Sequence, residues 1–389
     1  MVKLKWIALG LLGLLALCLG GCAKQRADIT VMDNFIQDDT LGECFNAPAL
    51  RFDALLEAWK DGHPDIELDE KKRAGSGDIS ALAVLGADHL PDVFMASPTL
   101  GRLLVEKGLV LDLSDYIPVQ ERVEPFVYGG AAYAFPATAP SFSVVIHEGD
   151  FPDSWTALYA RRYKVAWGGN ITDLLSPAMA ANGAQAWFDH MIAADKECTF
   201  LNDDIMEAIV DATEMRDSGL LVEMTADEAI LAFINRKYCA VVLNEESVYR
   251  LIDQLDSERR KLLRFSVFPS IAGEKNTPIG VPYGFFINAR LAEDAGKLAL
   301  CVELCRHLMQ AAGADRGDDE ALERLDNFIR QAKPCRNCAY YLSSEVWSPL
   351  KNTQLPPIET AVKMQNCYDQ YYLGVEDFSK QMDLYYEEK

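Results

Sequence analysis

Histidine and cysteine supply most nucleophiles, bases and metal ligands, so their spacing is the first evidence about chemistry. The five histidines, at positions 63, 89, 147, 190 and 307, show none of the paired helical spacing that zinc proteases use. The sequence also contains no Gly-x-Ser-x-Gly elbow, no phosphate loop and no Gly-x-Gly-x-x-Gly. We therefore expect no catalytic residue, no metal site and no cofactor.

Paired acids are the remaining route to catalysis. Asp38-Asp39 and Glu245-Glu246 could serve a glycosidase, which places two carboxyl groups across a sugar bond. The chain has 59 acidic residues, however, and most acids in a chain this acidic lie on the solvated surface. An exported carbohydrate-active enzyme stays open as an alternative.

Five of the ten cysteines have informative positions, and they fall into three groups. Cys301 and Cys305 share a helical stripe with apolar residues, so we expect them to pack in a core. Cys335 and Cys338 form a Cys-x-x-Cys segment that could be a local disulfide, a redox pair, or half of a zinc site with the first pair. The third group is the cysteine at position 22.

Cys22 follows a basic start with Lys3 and Lys5, an apolar run over residues 6–19, and Gly20-Gly21. This arrangement resembles a bacterial lipoprotein signal, in which the cysteine is lipidated and becomes the mature amino terminus. The apolar run has fourteen residues, too few for a membrane-spanning helix, which needs about 20. We expect a signal peptide over 1–21, a lipid on Cys22, a tether over 22–28, and a location on the outer face of the cytoplasmic membrane.

Length and charge limit the kind of partner. Without residues 1–21 the chain has 35 basic and 59 acidic residues, a net charge of −24. Such a charge argues against nucleic acid and against anionic lipid surfaces, since both attract positive proteins. The remaining length suits two lobes with a cleft between them, and we expect a monomer.

Strand and helix patterns alternate along the chain, which predicts α/β architecture. Apolar residues at helical spacing predict a helix that ends at Gly62, and short apolar runs such as 91–96 and 238–243 predict buried strands. Thr225 and Glu228 form a capping-box pattern. Small residues and prolines over 137–141 suit a strand that crosses between two lobes.

Three stretches carry a resemblance to a known family. They are Pro91-Asp92-Val93-Phe94-Met95 leading to 104–113, the segment 129–136 running on to His147 and Phe151, and Tyr283-Gly284-Phe285-Phe286-Ile287-Asn288. In order and spacing they resemble the extracellular solute-binding proteins of sugar-binding ABC transporters. The resemblance covers most of residues 29–310.

The resemblance implies a two-lobe, type II periplasmic-binding-protein-like fold of mixed sheets flanked by helices. Lobe 1 is expected over 29–138 and 278–335, and lobe 2 over 139–277 and 336–389. It further implies a receptor without enzymatic activity that captures a sugar or oligosaccharide for import through permease subunits. A sensor that binds a solute without transporting it stays open as another alternative.

The ligand is expected at strand ends that face the cleft, where polar groups meet hydroxyls and aromatic rings stack on sugar faces. Trp167 precedes a Gly-Gly pair and Tyr283 precedes the return strand, whereas the neutral segment 138–141 lacks the charged residue that relatives often place there. The expected ligand-binding residues are Asp33, Asn34, Ser97, Thr99, Thr138, Ser141, Trp167, Asn244, Glu245, Tyr283 and Trp347.

Overall fold

The structure is a computed structural model. It describes residues 29–33, 35, 43–71, 79, 82–83, 86–138, 143–169, 199–269, 279–280, 282–309, 320–331, 333–334, 348–351, 355–367 and 369–370. No helix among these residues is long and apolar enough to cross a membrane.

The described strands and helices alternate as the sequence predicts. The strands are β1 (Ile29–Met32), β2 (Leu68–Lys71), β3 (Val93–Ala96), β4 (Val127–Tyr128), β5 (Ala131–Ala132), β6 (Ala134–Pro136), β7 (Val144–Glu148), β8 (Val165–Trp167), β9 (Leu221–Glu223), β10 (Ala240–Leu243), β11 (Leu263–Ser266), β12 (Ile279–Gly280), β13 (Gly284–Ile287) and β14 (Lys333–Pro334). The helices are α1 (Glu43–Gly62), α2 (Pro98–Glu106), α3 (Trp155–Ala160), α4 (Asp203–Asp217), α5 (Ala226–Ile234), α6 (Glu245–Gln254), α7 (Ser257–Leu262), α8 (Ala295–Met309) and α9 (Glu320–Ile329), and a further helix covers residues 357–367.

Two five-stranded mixed sheets form the centres of two lobes. The first has the order β2-β1-β3-β13-β6, with β13 antiparallel to both of its neighbours. The second has the order β11-β7-β10-β8-β9, with β7 antiparallel to both of its neighbours. Strands β3, β10 and β13 are buried along their whole length, as expected for apolar strands covered on both faces.

The chain crosses between the sheets at the small residues and prolines of 137–141. Strand β6 belongs to the first sheet and β7 to the second, so the crossing lies between residues 136 and 144. The return crossing runs from β11 in the second sheet to β13 in the first. The two-lobe mixed-sheet fold predicted from the sequence is confirmed.

Each sheet has its own apolar core. In the first lobe, α1 and α8 cover one face with residues such as Phe52, Leu56 and Leu304. Cys301 and Cys305 are fully buried in this cluster, which confirms their predicted packing role. In the second lobe, α5, α6 and α9 cover one face of the sheet.

Helix α9 differs from expectation. The expected boundaries assign residues 278–335 to lobe 1. Instead, Leu322, Leu325 and Ile329 of α9 pack in the core of the second sheet. The apolar stripe of this helix decides its position, since its acids can face water on the other side.

An ionic network stabilises the first lobe at the amino end of β3. Asp92 is fully buried and pairs with Arg290 at 2.7 Å and Lys297 at 2.9 Å. Thr30 donates to it from its amide and its hydroxyl. Burial alone raises the pKa of Asp92, but the bonds to Lys297, Thr30 and Arg290 outweigh it and hold the pKa below its ordinary value.

Candidate functional site at the facing strand ends

Four predicted site residues lie along one edge of the first sheet. Asp33, Ser97 and Thr138 follow β1, β3 and β6, and Tyr283 precedes the antiparallel β13. Gly284 pairs with both Ala96 and Pro136, so the strand ends lie side by side. The structure thus brings these residues to one edge, as the strand-end argument predicted.

Three of the four side chains already accept structural hydrogen bonds, and those of Asp33 and Ser97 come from amides close in sequence. A carboxylate oxygen of Asp33 accepts from the amide of Phe35 at 2.8 Å, and Asp33 is 5 % exposed. The hydroxyl of Ser97 accepts from the amide of Leu100 at 3.4 Å and caps α2. Ser97 is only half-buried, so its hydroxyl stays within reach of a ligand.

Thr138 and Tyr283 are joined to each other. The amides of Ala137 and Thr138 donate to the carbonyl of Tyr283, and the Thr138 hydroxyl accepts from the Tyr283 amide at 3.0 Å. Both residues are half-buried, and the Tyr283 ring packs beside the first core. This connection fixes the direction in which the Tyr283 ring leaves the sheet.

The corresponding edge of the second sheet holds Ser143, Trp167, Gly168, Gly169 and Asn244. Strands β8 and β10 are parallel and end here, while the antiparallel β7 begins here. A Cβ on Gly169 would lie 2.8 Å from a methyl of Val242, so only glycine fits this approach. The pair of glycines lets the chain leave β8 directly over β10.

Trp167 is the aromatic residue of this edge, and its ring is buried. It is 3 % exposed and packs edge-on against Phe268, with ring centroids 5.1 Å apart. The ring faces that were expected to stack on a sugar are therefore covered. Among the described residues its indole N–H has no hydrogen-bond partner, so a buried donor lies at the cleft edge.

Asn244 caps helix α6. Its side-chain oxygen accepts from the amide of Ser247 at 3.1 Å, and the residue is exposed. Thr225 and Glu228 form the predicted capping box on α5, which is confirmed. The amino ends of α2, α5 and α6 are thus capped within the protein.

Positive charge is scarce along these edges. The described residues that flank β1, β3, β6, β7, β8, β10, β11 and β13 at the cleft edge include no lysine or arginine. The cation Lys71 lies at the margin, at the end of the outer strand β2, and it pairs with Asp69 at 2.6 Å. Such an edge suits an uncharged ligand better than an anion.

The two lobes contact each other through helix α1 of the first and helix α6 of the second. Helix α6 begins at the cleft edge of its sheet, next to Asn244. The helix that begins at this edge of the second sheet is thus the one that contacts the first lobe.

Comparison with solved structures supports this arrangement. The bacterial solute receptor AcbH, described with a preference for β-D-galactopyranose, has a TM-score of 0.66 at 12% identity, covering 89% of this chain and 98% of that chain. A probable secreted solute-binding lipoprotein from Streptomyces coelicolor has a TM-score of 0.65 at 13% identity, covering 89% of this chain and 99% of that one. The maltotriose-bound maltodextrin-binding domain from Bdellovibrio bacteriovorus has a TM-score of 0.59 at 15% identity, covering 88% and 98%.

The chain has the fold of the two-lobe solute-binding proteins. Neither a protein-family model nor a curated protein sequence matches it. The likeness to solute-binding proteins is therefore one of architecture, and residue roles at the site have to be argued from this chain itself.

Sequence reasoning missed three aromatic residues of this solute-binding fold. Phe268 lies two residues after β11, and Trp155 lies 6.0 Å from its ring. Phe35 follows β1 and packs 5.6 Å from Phe52 in the first core. Applying the strand-end rule to β11 as well as β8 and β10 would have found Phe268.

Several predicted positions lie outside the described residues. Among these are Cys22, Asn34, Ser141, Trp347 and the segment with Cys335 and Cys338. Thr99 and Glu245 lie in the first turns of α2 and α6, but their side chains are also outside the description. In the described part of the chain no group of His, Cys, Asp and Glu is arranged to hold a metal.

Proposed function

We propose that this protein is a lipid-anchored extracytoplasmic receptor that binds a small carbohydrate between its lobes for import by an ABC transporter. The observation that carries the proposal is the composition of the facing strand ends. The described residues there combine hydroxyl and amide side chains with the half-buried ring of Tyr283, and they include no lysine or arginine at the central strands. Binding alone, without chemical conversion of the ligand, is the proposed activity.

The chemistry of the edge favours a sugar over other small solutes. A sugar offers many hydroxyls and no charge, which fits the side chains of Ser97, Thr138 and Asn244. Its apolar C–H faces suit an aromatic ring, and the half-buried Tyr283 has the position for such a contact. The solved neighbours named for galactopyranose and maltotriose agree with this ligand class.

The membrane anchor and the transporter are further parts of the proposal. The signal-like start of the chain supports lipidation of Cys22, and Cys22→Ala should release the protein from the membrane fraction. Cys239→Ala is the matched control, because Cys239 is an exposed cysteine on the second lobe. Equal membrane retention of the two variants would contradict the anchor.

Calorimetric titration tests the binding activity. The panel is galactose, maltotriose, a xylo-oligosaccharide and a chito-oligosaccharide, preceded by a thermal-shift screen, because a ligand specific for the native state raises the melting temperature. Tyr283→Ala should weaken the best ligand about tenfold, as expected for loss of a contacting aromatic side chain. Tyr238→Ala is the control, since Tyr238 is also half-buried but precedes β10 at the opposite end of the second sheet. No binding by any member of the panel would contradict the proposed ligand class.

A further inference from the structure

A cluster of exposed cations lies at the end of the second sheet that points away from the cleft. There β8, β10 and β11 begin and β7 ends. Six exposed basic residues lie at this end, five in the segments before β8 and β10 and one in β11, and we call them the basic pole: Arg161, Arg162, Lys164, Arg236, Lys237 and Arg264.

Strand pairing places these residues together although they span about a hundred positions of sequence. Ala240 pairs with both Val165 and His147, and Arg264 pairs with His147 from the other side. Neighbouring strands lie about 4.8 Å apart, so the segments before β8 and β10 and the start of β11 lie at one end of the sheet.

Acidic residues neutralise only part of the pole. Asp150 forms an ion pair with Arg161 at 3.1 Å, and Glu148 forms one with the half-buried Arg259 at 2.6 Å. Asp153 is a third, exposed acid on the loop before α3. Within the described residues, Arg162, Lys164 and Arg236 have no acidic partner at ion-pair distance. The pole therefore keeps an excess of positive charge in a chain whose net charge is −22.

Backbone conformation gives independent evidence about two of these arginines. Arg162 and Arg236 have φ of 50° and 55°, and they are the only non-glycine residues with positive φ in the described part of the chain. At each helix end the arginine amide and the amide of the next residue donate to helix carbonyls in the same pattern as Gly108 and Leu109 at the end of α2. A cation at a helix carboxyl end is favourable, but the steric cost of a left-handed side chain is at least as large. The helix dipole alone thus does not explain arginine in place of glycine at both positions.

We propose that the basic pole binds an anionic phospholipid surface. The cations of the pole are all exposed, and beside Arg161 lies the 60 % exposed Tyr159, a combination that suits the headgroup layer of a membrane. At about 0.1 M salt the Debye length is about 10 Å, so acids elsewhere on the chain are screened and the pole acts by itself. The net charge of the whole chain argued against binding to anionic lipid, but it does not describe the local charge of the basic pole.

Vesicle co-sedimentation tests this proposal. A chain of residues 23–389 contains every described element and lacks Cys22, so it carries no lipid of its own. It should bind phosphatidylglycerol vesicles at about 0.1 M salt, bind phosphatidylcholine vesicles much less, and be released at about 0.5 M salt. Absence of binding to phosphatidylglycerol vesicles, or binding that does not change with salt concentration, would overturn this proposal. Neither result would affect the proposed carbohydrate site.

Two four-fold variants give the matched comparison. Changing Arg162, Lys164, Arg236 and Lys237 to Gln should weaken vesicle binding at least tenfold, since each cation near the surface contributes to attraction. The control changes four cations elsewhere to Gln: Lys60, Arg102, Lys107 and Lys363. Both variants lose the same charge, so equal weakening would overturn the proposal. Melting curves report whether each variant folds, and the salt dependence of the unmodified chain decides the question by itself if one does not.

Discussion

The hydroxyl of Thr138 accepts a hydrogen bond from the backbone amide of Tyr283 at 3.0 Å, across 145 positions of sequence. Thr138 begins the first crossing between the sheets, and Tyr283 ends the return crossing. The two crossing segments are therefore tied to each other at the cleft edge of the first lobe. A polar residue expected to bind ligand here also has a structural role.

Replacing Thr138 tests this connection. Thr138→Val keeps the shape but leaves the Tyr283 amide without its acceptor, which should lower the free energy of unfolding by about 1–3 kcal/mol. Thr138→Ser keeps the acceptor and should cost less. Urea denaturation of both variants gives the comparison, and equal losses would mean that the hydroxyl has no structural role.

Sequence patterns predicted the fold well because they report local burial. The apolar runs became β3, β10 and β13, and the helix over 43–62 ends at Gly62 as expected. Gly108 has φ of 65° at the end of α2, a conformation that favours glycine after a helix. These features depend on a few neighbouring residues, so a single sequence contains enough information to find them.

The roles of site residues were harder to predict, since a helix cap and a ligand contact need the same residue types. Ser97 and Asn244 follow strands and cap helices, and sequence alone cannot separate this role from ligand binding. The burial of the Trp167 ring could not be predicted either, because a strand of three apolar residues has no periodicity that distinguishes a buried face from an exposed one. The basic pole could not be predicted from the sequence because its residues are distant along the chain and come together only through strand pairing.

Trp167 gives a prediction that separates packing from recognition. Trp167→Ala should lose about 3–5 kcal/mol of stability, because it empties a buried position beside Phe268. Trp167→Phe keeps an aromatic ring beside Phe268 but removes the indole N–H together with part of the ring volume, so we expect a smaller loss of stability than for Trp167→Ala. If the ligand accepts from this N–H, calorimetry should show about fivefold weaker binding by Trp167→Phe.

Phe268→Leu is the control for Trp167→Phe, since it disturbs the same ring contact without removing a donor. Weaker binding by Trp167→Phe than by Phe268→Leu assigns the effect to the N–H. Unchanged binding by Trp167→Phe would mean that Trp167 has a structural role only.

Asp92 should be a main source of stability in the first lobe. Asp92→Asn leaves Arg290 and Lys297 without their buried partner and should cost about 3 kcal/mol in chemical denaturation. The pKa of Asp92 is lowered in the folded state, so its contribution is present above the ordinary value of 3.8 and is lost as the pH falls through the folded pKa. The variant should therefore lose less stability than the original chain on acidification, and parallel pH profiles would contradict this role.

Thiol labelling distinguishes the cysteines. Burial raises the pKa of Cys301 to about 12 and also raises the pKa of Cys305, so neither thiol should react with iodoacetamide in the native protein. Cys239 is exposed and should be alkylated. Mass spectrometry of the digested protein provides the measurement, and native labelling of Cys301 at the rate of Cys239 would contradict the core described above.

Amide hydrogen exchange in the presence of each sugar of the panel tests the central claim most directly, because it reports binding and its location together. The proposed receptor predicts that at least one sugar slows exchange at both facing edges, in the peptides that contain Ser97 to Leu104 and Asn244 to Arg250. Slower exchange confined to one lobe, or no change with any sugar, would contradict carbohydrate binding between the two sheets.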